Sequence, residues 1–204
     1  MGKRSVYEKM ASQYGCRPLW SVRFCWVLIV VWILAGNALN VYAQPRQLPE
    51  YEIKAAFIYK FTKFIDWPAQ AFSDPSDPFS IGILGKDPFS NILEQTFMGK
   101  TVNGREWIVK RSNSVEELKK CHILFISSSE KKRLAEIIEV IKFANILTIG
   151  DMDQFAESGG IIGLNEQDKK ISIEINVEAA KQAGLTISSK LLILGKILSD
   201  GTTR

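Results

Sequence analysis

The sequence predicts a single α/β domain with a mixed, mostly parallel sheet of five or six strands and helices on both faces. Three observations support this fold class. Short apolar segments alternate with helical patterns along the chain. The segment at residues 123–126 is apolar throughout, as strands buried on both faces are. Near the C-terminus, Ile171, Ile173 and Ile175 alternate with polar residues, which predicts a half-buried strand.

The individual elements follow from spacing and from turn residues. Strands are predicted over residues 79–84, 107–111, 123–126, 145–149, 161–164 and 170–175. The polar residues at 165–169 connect the last two as an antiparallel hairpin. Apolar residues at helical spacing predict helices over residues 51–67, 87–97, 130–143, 177–183 and 191–198, with Asn176 as the cap of the fourth.

The first 43 residues have the parts of a secretory signal peptide. A basic start leads into an apolar run at residues 24–35, and a small-residue site ends at Ala43. The run has 12 residues, whereas a helix that crosses a bilayer needs roughly 20. We therefore expect cleavage after Ala43, export from the cytoplasm, and a domain over residues 44–204. An uncleaved N-terminal membrane anchor is the alternative.

The charge balance of the expected mature chain excludes one class of partner. The leader holds five of the 26 basic and one of the 22 acidic residues, which leaves 21 of each after residue 43. A nucleic-acid-binding protein would show a basic excess. We therefore expect no nucleic-acid partner.

Cysteine usage predicts a domain without internal disulfides. Cys16 and Cys25 lie in the leader, so Cys121 is the only cysteine after Ala43. Its apolar neighbours favour a small buried residue with a raised thiol pKa. A reactive thiol or an intermolecular disulfide through Cys121 is the other interpretation.

The inventory of catalytic residues is thin. His122 is the only histidine and is adjacent to Cys121 in an expected strand, where the two side chains would point to opposite faces. One His and one Cys are too few ligands for zinc, and Asp151 lacks the rest of a calcium loop, so we interpret it as a helix cap. An exported protein also works without ATP or reduced nicotinamide. We expect no enzymatic activity, no metal and no cofactor.

Aromatic residues are concentrated between residues 51 and 72. Core packing explains most of them, yet one helix rarely needs so many, and Trp and Tyr are favoured at interfaces. We therefore select Tyr59, Phe64 and Trp67 as candidates for a ligand groove or a protein contact.

Four segments of the chain are distinctive. They are YEIKAAFIYKFTKFIDWP at residue 51, CHILFISSSE at residue 121, the Gly150-Asp151 turn with Phe155 and Gly159-Gly160, and IGLNEQDKKISIEINVEAAKQAGLTISSKLL at residue 162. Together these segments resemble the YfiR family. The resemblance covers nearly all of residues 51–198. It implies a periplasmic, non-enzymatic α/β regulator.

The founding member of that family binds the periplasmic part of an inner-membrane diguanylate cyclase and holds it inactive, and an outer-membrane lipoprotein releases it by sequestration. Family members form dimers, and their C-terminal half is tied to partner contact. By this resemblance Ile162, Glu174 and Asn176, with the groove beside the first helix, are the expected functional surface. The founding member has internal disulfides, whereas here Cys121 stands alone, so redox control by internal bridges is not expected.

Two functions follow from these observations. The first is a repressor of a membrane diguanylate cyclase, which lowers cyclic-di-GMP and biofilm output. The second is a periplasmic small-molecule binding module that serves a sensor kinase or another membrane receptor, with the ligand in a crevice at the strand ends.

Overall fold

The computed structural model describes residues 50–74, 76–167 and 170–198. The expected signal peptide and its cleavage site lie outside these residues. The described residues belong to one compact unit, Leu48–Arg204. In chain order the strands are β1 (Ile65–Asp66), β2 (Phe79–Leu84), β3 (Trp107–Ser112), β4 (Ile123–Ile126), β5 (Leu147–Gly150), β6 (Ile162–Gln167), β7 (Lys170–Asn176), β8 (Thr186–Ile187) and β9 (Lys196–Leu198).

The main sheet has seven strands in the order β3-β2-β4-β5-β6-β7-β9. The pairs from β3 to β6 are parallel, and β7 runs antiparallel to β6 in the expected hairpin. The mixed, mostly parallel fold class is therefore confirmed. The sheet has one strand more than the upper end of the expected five or six. The additional strand is β9, because residues 196–198 lie alongside β7 instead of ending a helix.

Gly195 explains this change at the C-terminal edge. A Cβ atom at residue 195 would lie 2.9 Å from Ile175 Cδ1 and 3.1 Å from the carbonyl oxygen of Ile173. Only glycine lets the chain pass this close to β7. The predicted last helix is thereby limited to a short one at residues 189–192, and the chain continues as a strand.

The α-helices are α1 (Glu50–Phe61), α2 (Ile92–Phe97), α3 (Val115–Leu118), α4 (Leu134–Ile141), α5 (Val177–Gln182) and α6 (Ser189–Leu192). Short 3-10 helices cover Ala69–Ala71 and Ser128–Arg133. The first helix ends six residues earlier than predicted, because β1 leaves the helical path and pairs antiparallel with β8. No helix among the described residues is long and apolar enough to cross a membrane.

The sheet separates two apolar cores, because alternate strand residues point to opposite faces. In β4, Ile123 and Phe125 enter the larger core, to which α1, α2 and α5 contribute. Leu124 and Ile126 enter the smaller core beneath α3 and α4. The expectation of helices on both faces is therefore confirmed.

Candidate functional site

Tyr59 lies on α1, where its ring packs between neighbouring aromatic rings. Its centroid is 6.5 Å from that of Phe97 and 6.2 Å from that of Trp107. The ammonium groups of Lys63 and Lys100 lie over the ring at 5.2 and 4.8 Å. Tyr59 is half-buried, so part of its surface remains available for contact.

Phe64 and Trp67 follow α1 and pack against the larger core. Trp67 Nε1 donates a hydrogen bond of 3.2 Å to the carbonyl oxygen of His122, and its ring meets Phe79 edge-on at 5.0 Å. These contacts attach the segment after α1 to the sheet. Packing thus accounts for both residues, and their role in binding stays a prediction.

The three C-terminal candidates lie on β6 and β7, close together in the hairpin. Ile162 is fully buried and pairs with Ile175, so it can influence a partner only through the packing of the hairpin. Glu174 is opposite Gly163 and lies 3.7 Å from the ammonium of Lys196.

Asn176 forms two structural hydrogen bonds. Its Oδ1 accepts from the amide of Ala179, which confirms the predicted cap of α5, and its Nδ2 donates to the carbonyl of Ala156. These bonds give Asn176 a structural role, and its part in partner contact stays a prediction.

His122 and Cys121 point to opposite faces of the sheet, as expected. The His122 ring stacks between Phe72 and Phe79 at centroid distances of 4.6 and 4.7 Å, and its Nδ1 accepts from the amide of Ser80. Burial lowers the pKa of His122 and raises the pKa of the Cys121 thiol. Cys121 is only 3% exposed, so an intermolecular disulfide, which stays a prediction, requires this face to open first.

A buried polar cluster at the carboxyl end of the sheet was not expected from the sequence. Tyr51 donates a 2.7 Å hydrogen bond to Asp151 Oδ2, and Lys54 forms ion pairs with Glu50 and, at 3.6 Å, with Asp151. The Asp151 side chain is 3% exposed. Residues 153–159 form turns and no helix begins at Asp151, so the interpretation of Asp151 as a helix cap is wrong.

The electrostatics of this cluster follow from burial and from its ion pairs. Burial and the hydrogen bond to Asp151 raise the pKa of Tyr51 above its ordinary range. Burial opposes ionisation of Glu50, but its hydrogen bond and charge interaction with Lys54 hold its pKa below the ordinary value. The described residues contain no group of three or more metal-ligating side chains. The hydrogen bond from Tyr51 and the ion pair from Lys54 to Asp151 attach α1 to the end of β5.

An exposed apolar patch follows α6. Ile193, Leu194 and Ile197 are 83%, 58% and 48% exposed. The prediction of a helix over residues 191–198 did not identify this patch, because a helix would have turned part of the segment towards the core. Exposed apolar surface at the edge of a sheet is typical of sites that contact another protein. We call these three residues the C-terminal patch.

The crevice in which α/β sheets usually bind small ligands is closed in this fold. In the sheet, β3 lies on one side of β2 and β4 lies on the other. Such a reversal of strand order places the crevice beyond the carboxyl ends of β2 and β4. A Cβ atom at Gly85, just after β2, would lie 2.4 Å from Ser129 Oγ and 2.6 Å from Glu130 Oε1. The side chains that follow β4 therefore fill the crevice.

The fold and the C-terminal patch define the class of protein: an α/β domain with an exposed apolar surface at one edge of its sheet. The chain belongs to the YfiR/HmsC-like family, whose sequence profile matches residues 51–196. This family consists of periplasmic regulatory proteins without catalytic activity. A search of functionally characterised sequences gives no significant match.

Two solved structures are similar in fold. One is a conserved domain protein from Vibrio cholerae O1 biovar El Tor, with a TM-score of 0.52, 13% identity and coverage of 73% of this chain. The other is an ABC domain in complex with L-Trp from Streptococcus pneumonia, with a TM-score of 0.49, 12% identity and the same coverage. The matched region spans 60% of each of those chains. At this identity the likeness to the Vibrio protein supports the α/β fold alone.

Proposed function

We propose that this chain is a periplasmic repressor that binds the periplasmic part of an inner-membrane diguanylate cyclase and holds it inactive. Cyclic-di-GMP and biofilm output would fall as a result. The observation that supports this proposal best is the C-terminal patch, in which three large aliphatic side chains lie exposed within five residues. Water solvates such a surface poorly, so burial against a partner would stabilise the complex.

The surroundings of the patch suit a protein partner. Ile197 belongs to β9, which lies beside β7 at the end of the sheet. The ion pair between Glu174 and Lys196 borders the same strand, and the Lys196 side chain is 65% exposed. An apolar centre with a charged border is the usual composition of a protein interface.

Repression requires a difference in affinity between two states of the partner. The chain must bind the inactive conformation of the cyclase more tightly than the active one, by about 2.7 kcal/mol for a hundredfold bias. An outer-membrane lipoprotein that sequesters the repressor would reverse this bias. Both partners belong to the proposal, as does a homodimer.

The alternative, a small-molecule binding module for a sensor kinase or another receptor, has less support from the geometry. Ser129 and Glu130 fill the crevice at the strand ends, where such a ligand would bind. A thermal-shift screen with small molecules tests this alternative, since a bound ligand raises the melting temperature.

The experiment for the first proposal compares gene deletion with a surface variant. Deletion should raise cyclic-di-GMP and biofilm, and the wild-type gene should restore both to their original level. The double variant Ile193→Asp and Leu194→Asp should fail to restore them although it is exported and folded.

Phe143→Asp is the matched control, because Phe143 is also an exposed apolar residue, at 70%, but lies in the segment after α4. This control should restore repression. Unchanged cyclic-di-GMP after deletion would contradict the function, and full activity of the double variant would contradict the assignment of the patch.

A further inference from the structure

The strand β3 lies at one end of the main sheet, and one of its two edges is open. Among the residues that the structure describes, β3 pairs only with β2. The carbonyl of Glu106, just before β3, accepts from the amide of Phe79 in β2. Successive residues of a strand direct their backbone groups to alternate edges. The amides and carbonyls of Trp107, Val109 and Arg111 therefore face away from β2.

A cleft of about 620 Å³ lies along this open edge. Trp107, Ile108 and Val109 line one wall, and Phe97 and Met98 at the end of α2 line the other. The rings of Phe97 and Trp107 stack at a centroid distance of 4.0 Å, and the Met98 side chain is 76% exposed. The cleft thus offers apolar surface beside the open backbone groups. A further strand would lie about 4.8 Å from β3 in this space.

Two lysines border the end of the cleft at which β3 begins. Lys100 lines the cleft, and Lys63 Nζ donates a 3.2 Å hydrogen bond to the carbonyl of Thr101, which also lines it. Both ammonium groups lie over the ring of Tyr59, whose centroid is 6.2 Å from that of Trp107. Within the described part of the chain neither lysine forms an ion pair.

The acidic residues of the cleft do not balance these lysines. Glu94 also lines the cleft, but its carboxylate pairs with Arg111 at 2.6 Å. Glu106 precedes Trp107 directly, so its side chain points to the other face of the sheet. The charge that remains at the start of β3, on the face of Trp107, is therefore positive. A carboxylate is the complementary group.

We propose that β3 binds an extended peptide segment of another protein as an added antiparallel strand, with carboxylates at the C-terminal end of that segment. The outward backbone groups of Trp107, Val109 and Arg111 supply the hydrogen bonds. The apolar cleft receives every second side chain of the segment. In strand addition of this kind, backbone pairing provides affinity and the side-chain pockets provide specificity.

The position of the lysines determines the direction of the segment. An antiparallel strand ends beside Trp107, where β3 begins, and this brings its C-terminal carboxylates towards Lys100 and Lys63. A parallel strand would instead bring its N-terminal end, with any free ammonium, to the same two cations. A small anion alone would leave the backbone groups of Val109 and Arg111 unpaired.

This peptide site is separate from the C-terminal patch. β3 and β9 lie at opposite ends of the strand order, so a segment bound at β3 leaves β9 free. The inference does not rest on the proposed function, and its test needs neither the cyclase nor the lipoprotein.

The first experiment screens the purified protein against a library of short synthetic peptides with free C-termini. Bound members should be enriched in acidic residues at the C-terminal end and in apolar residues at alternate positions before it. Lys100→Glu should weaken binding of the selected acidic peptide about tenfold and should not weaken binding of its C-terminally amidated, neutral analogue. Lys120→Glu, at an exposed lysine outside β3, is the matched control and should leave both affinities unchanged.

A second experiment tests the strand pairing itself. Amide hydrogen exchange of Trp107, Val109 and Arg111 should slow when the selected peptide binds, whereas exchange of Ile108 and Lys110, which face β2, should not change. Val109→Pro removes one outward amide and should abolish peptide binding while circular dichroism shows a folded domain. Val109→Ala keeps that amide and should retain binding.

Three results would overturn the proposal. The first is a library screen without enrichment of C-terminal carboxylates. The second is slow exchange of the three outward amides before any peptide is added, because another segment or a second copy would then already occupy the edge. The third is sodium phosphate that competes as well as the unlabelled selected peptide, because the cleft would then bind a small anion and no added strand.

Discussion

Lys54 of α1 forms a buried ion pair with Asp151, whose carboxylate lies 3.6 Å from the lysine ammonium at the carboxyl end of β5. The side chains are 2% and 3% exposed. The two residues are far apart in the chain, and their contact attaches α1 to the sheet. Removal of one partner would leave the other charge buried without compensation.

The first prediction concerns this pair. Lys54→Met should lower the free energy of unfolding by about 3–5 kcal/mol, because the Asp151 carboxylate loses its cation. The double variant Lys54→Met and Asp151→Asn should recover part of that loss. Urea denaturation measures both values. Lys60→Met, on the exposed side of α1, should change stability by less than about 0.5 kcal/mol. Equal losses in Lys54→Met and Lys60→Met would contradict the role of the buried pair.

The second prediction concerns pH and His122. Burial lowers the pKa of His122 in the folded state, the charges of Arg105 and Lys110 lower it further, and Asp77 opposes them. Unfolded histidine has a pKa of about 6.5 and takes up a proton first. Stability from this residue is therefore full above about pH 6.5 and decreases as the pH falls below that value.

The variant His122→Asn isolates this effect, since the asparagine Oδ1 can still accept from the amide of Ser80. Its melting temperature should decrease less between about pH 6.5 and pH 5 than that of the wild type. Identical pH profiles for the two proteins would show that His122 does not carry the effect.

The third prediction concerns Phe155, which is fully buried between two glycines. A Cβ atom at Gly160 would lie 2.2 Å from Phe155 Cε1, and one at Gly150 would lie 2.3 Å from its Cδ2. Gly160→Ala should therefore destabilise the protein by about 1–3 kcal/mol, measured by thermal unfolding. The smaller side chain of Phe155→Leu should relieve part of this cost in the double variant. Ser158→Ala, at an exposed neighbouring site, serves as the control.

The fourth prediction separates packing from binding among the aromatic candidates. Trp67→Ala removes a hydrogen bond to the carbonyl of His122 and a ring contact with Phe79. It should cost about 2–3 kcal/mol of stability, somewhat less than a fully buried Trp would. Tyr59→Ala removes ring contacts of a half-buried residue and should cost about 1 kcal/mol. If Tyr59→Ala reduced partner binding without loss of stability, Tyr59 would belong to the interface.

The helix and strand pattern of the central fold was accessible from the sequence because it depends on local periodicity. Residues 79–84 and 123–126 form strands as predicted, and Asn176 caps α5. The failures occur where a distant segment competes with local preference. Ile65 leaves a helical pattern to pair with Ile187, and residues 196–198 leave another to pair with β7.

The candidate site was harder to predict than the fold. The sequence shows that aromatic residues are concentrated between residues 51 and 72, but it could not show that Trp67 and Phe64 pack against the core. The C-terminal patch was missed, because its exposure depends on where α6 ends and β9 begins.

The sequence by itself determined the α/β class with helices on both faces of the sheet, because periodicity is a property of the chain. It also determined membership of a family of periplasmic regulators, because the order of the motifs is a property of the chain. Only the tertiary structure decided which polar groups meet and which apolar groups stay exposed. The pairing of Lys54 with Asp151 and the contact of Gly85 with Ser129 and Glu130 each join residues that are distant in sequence. The position of β3 at the end of the sheet likewise depends on the order of the strands. Such contacts depend on strand order and register, which local patterns do not encode.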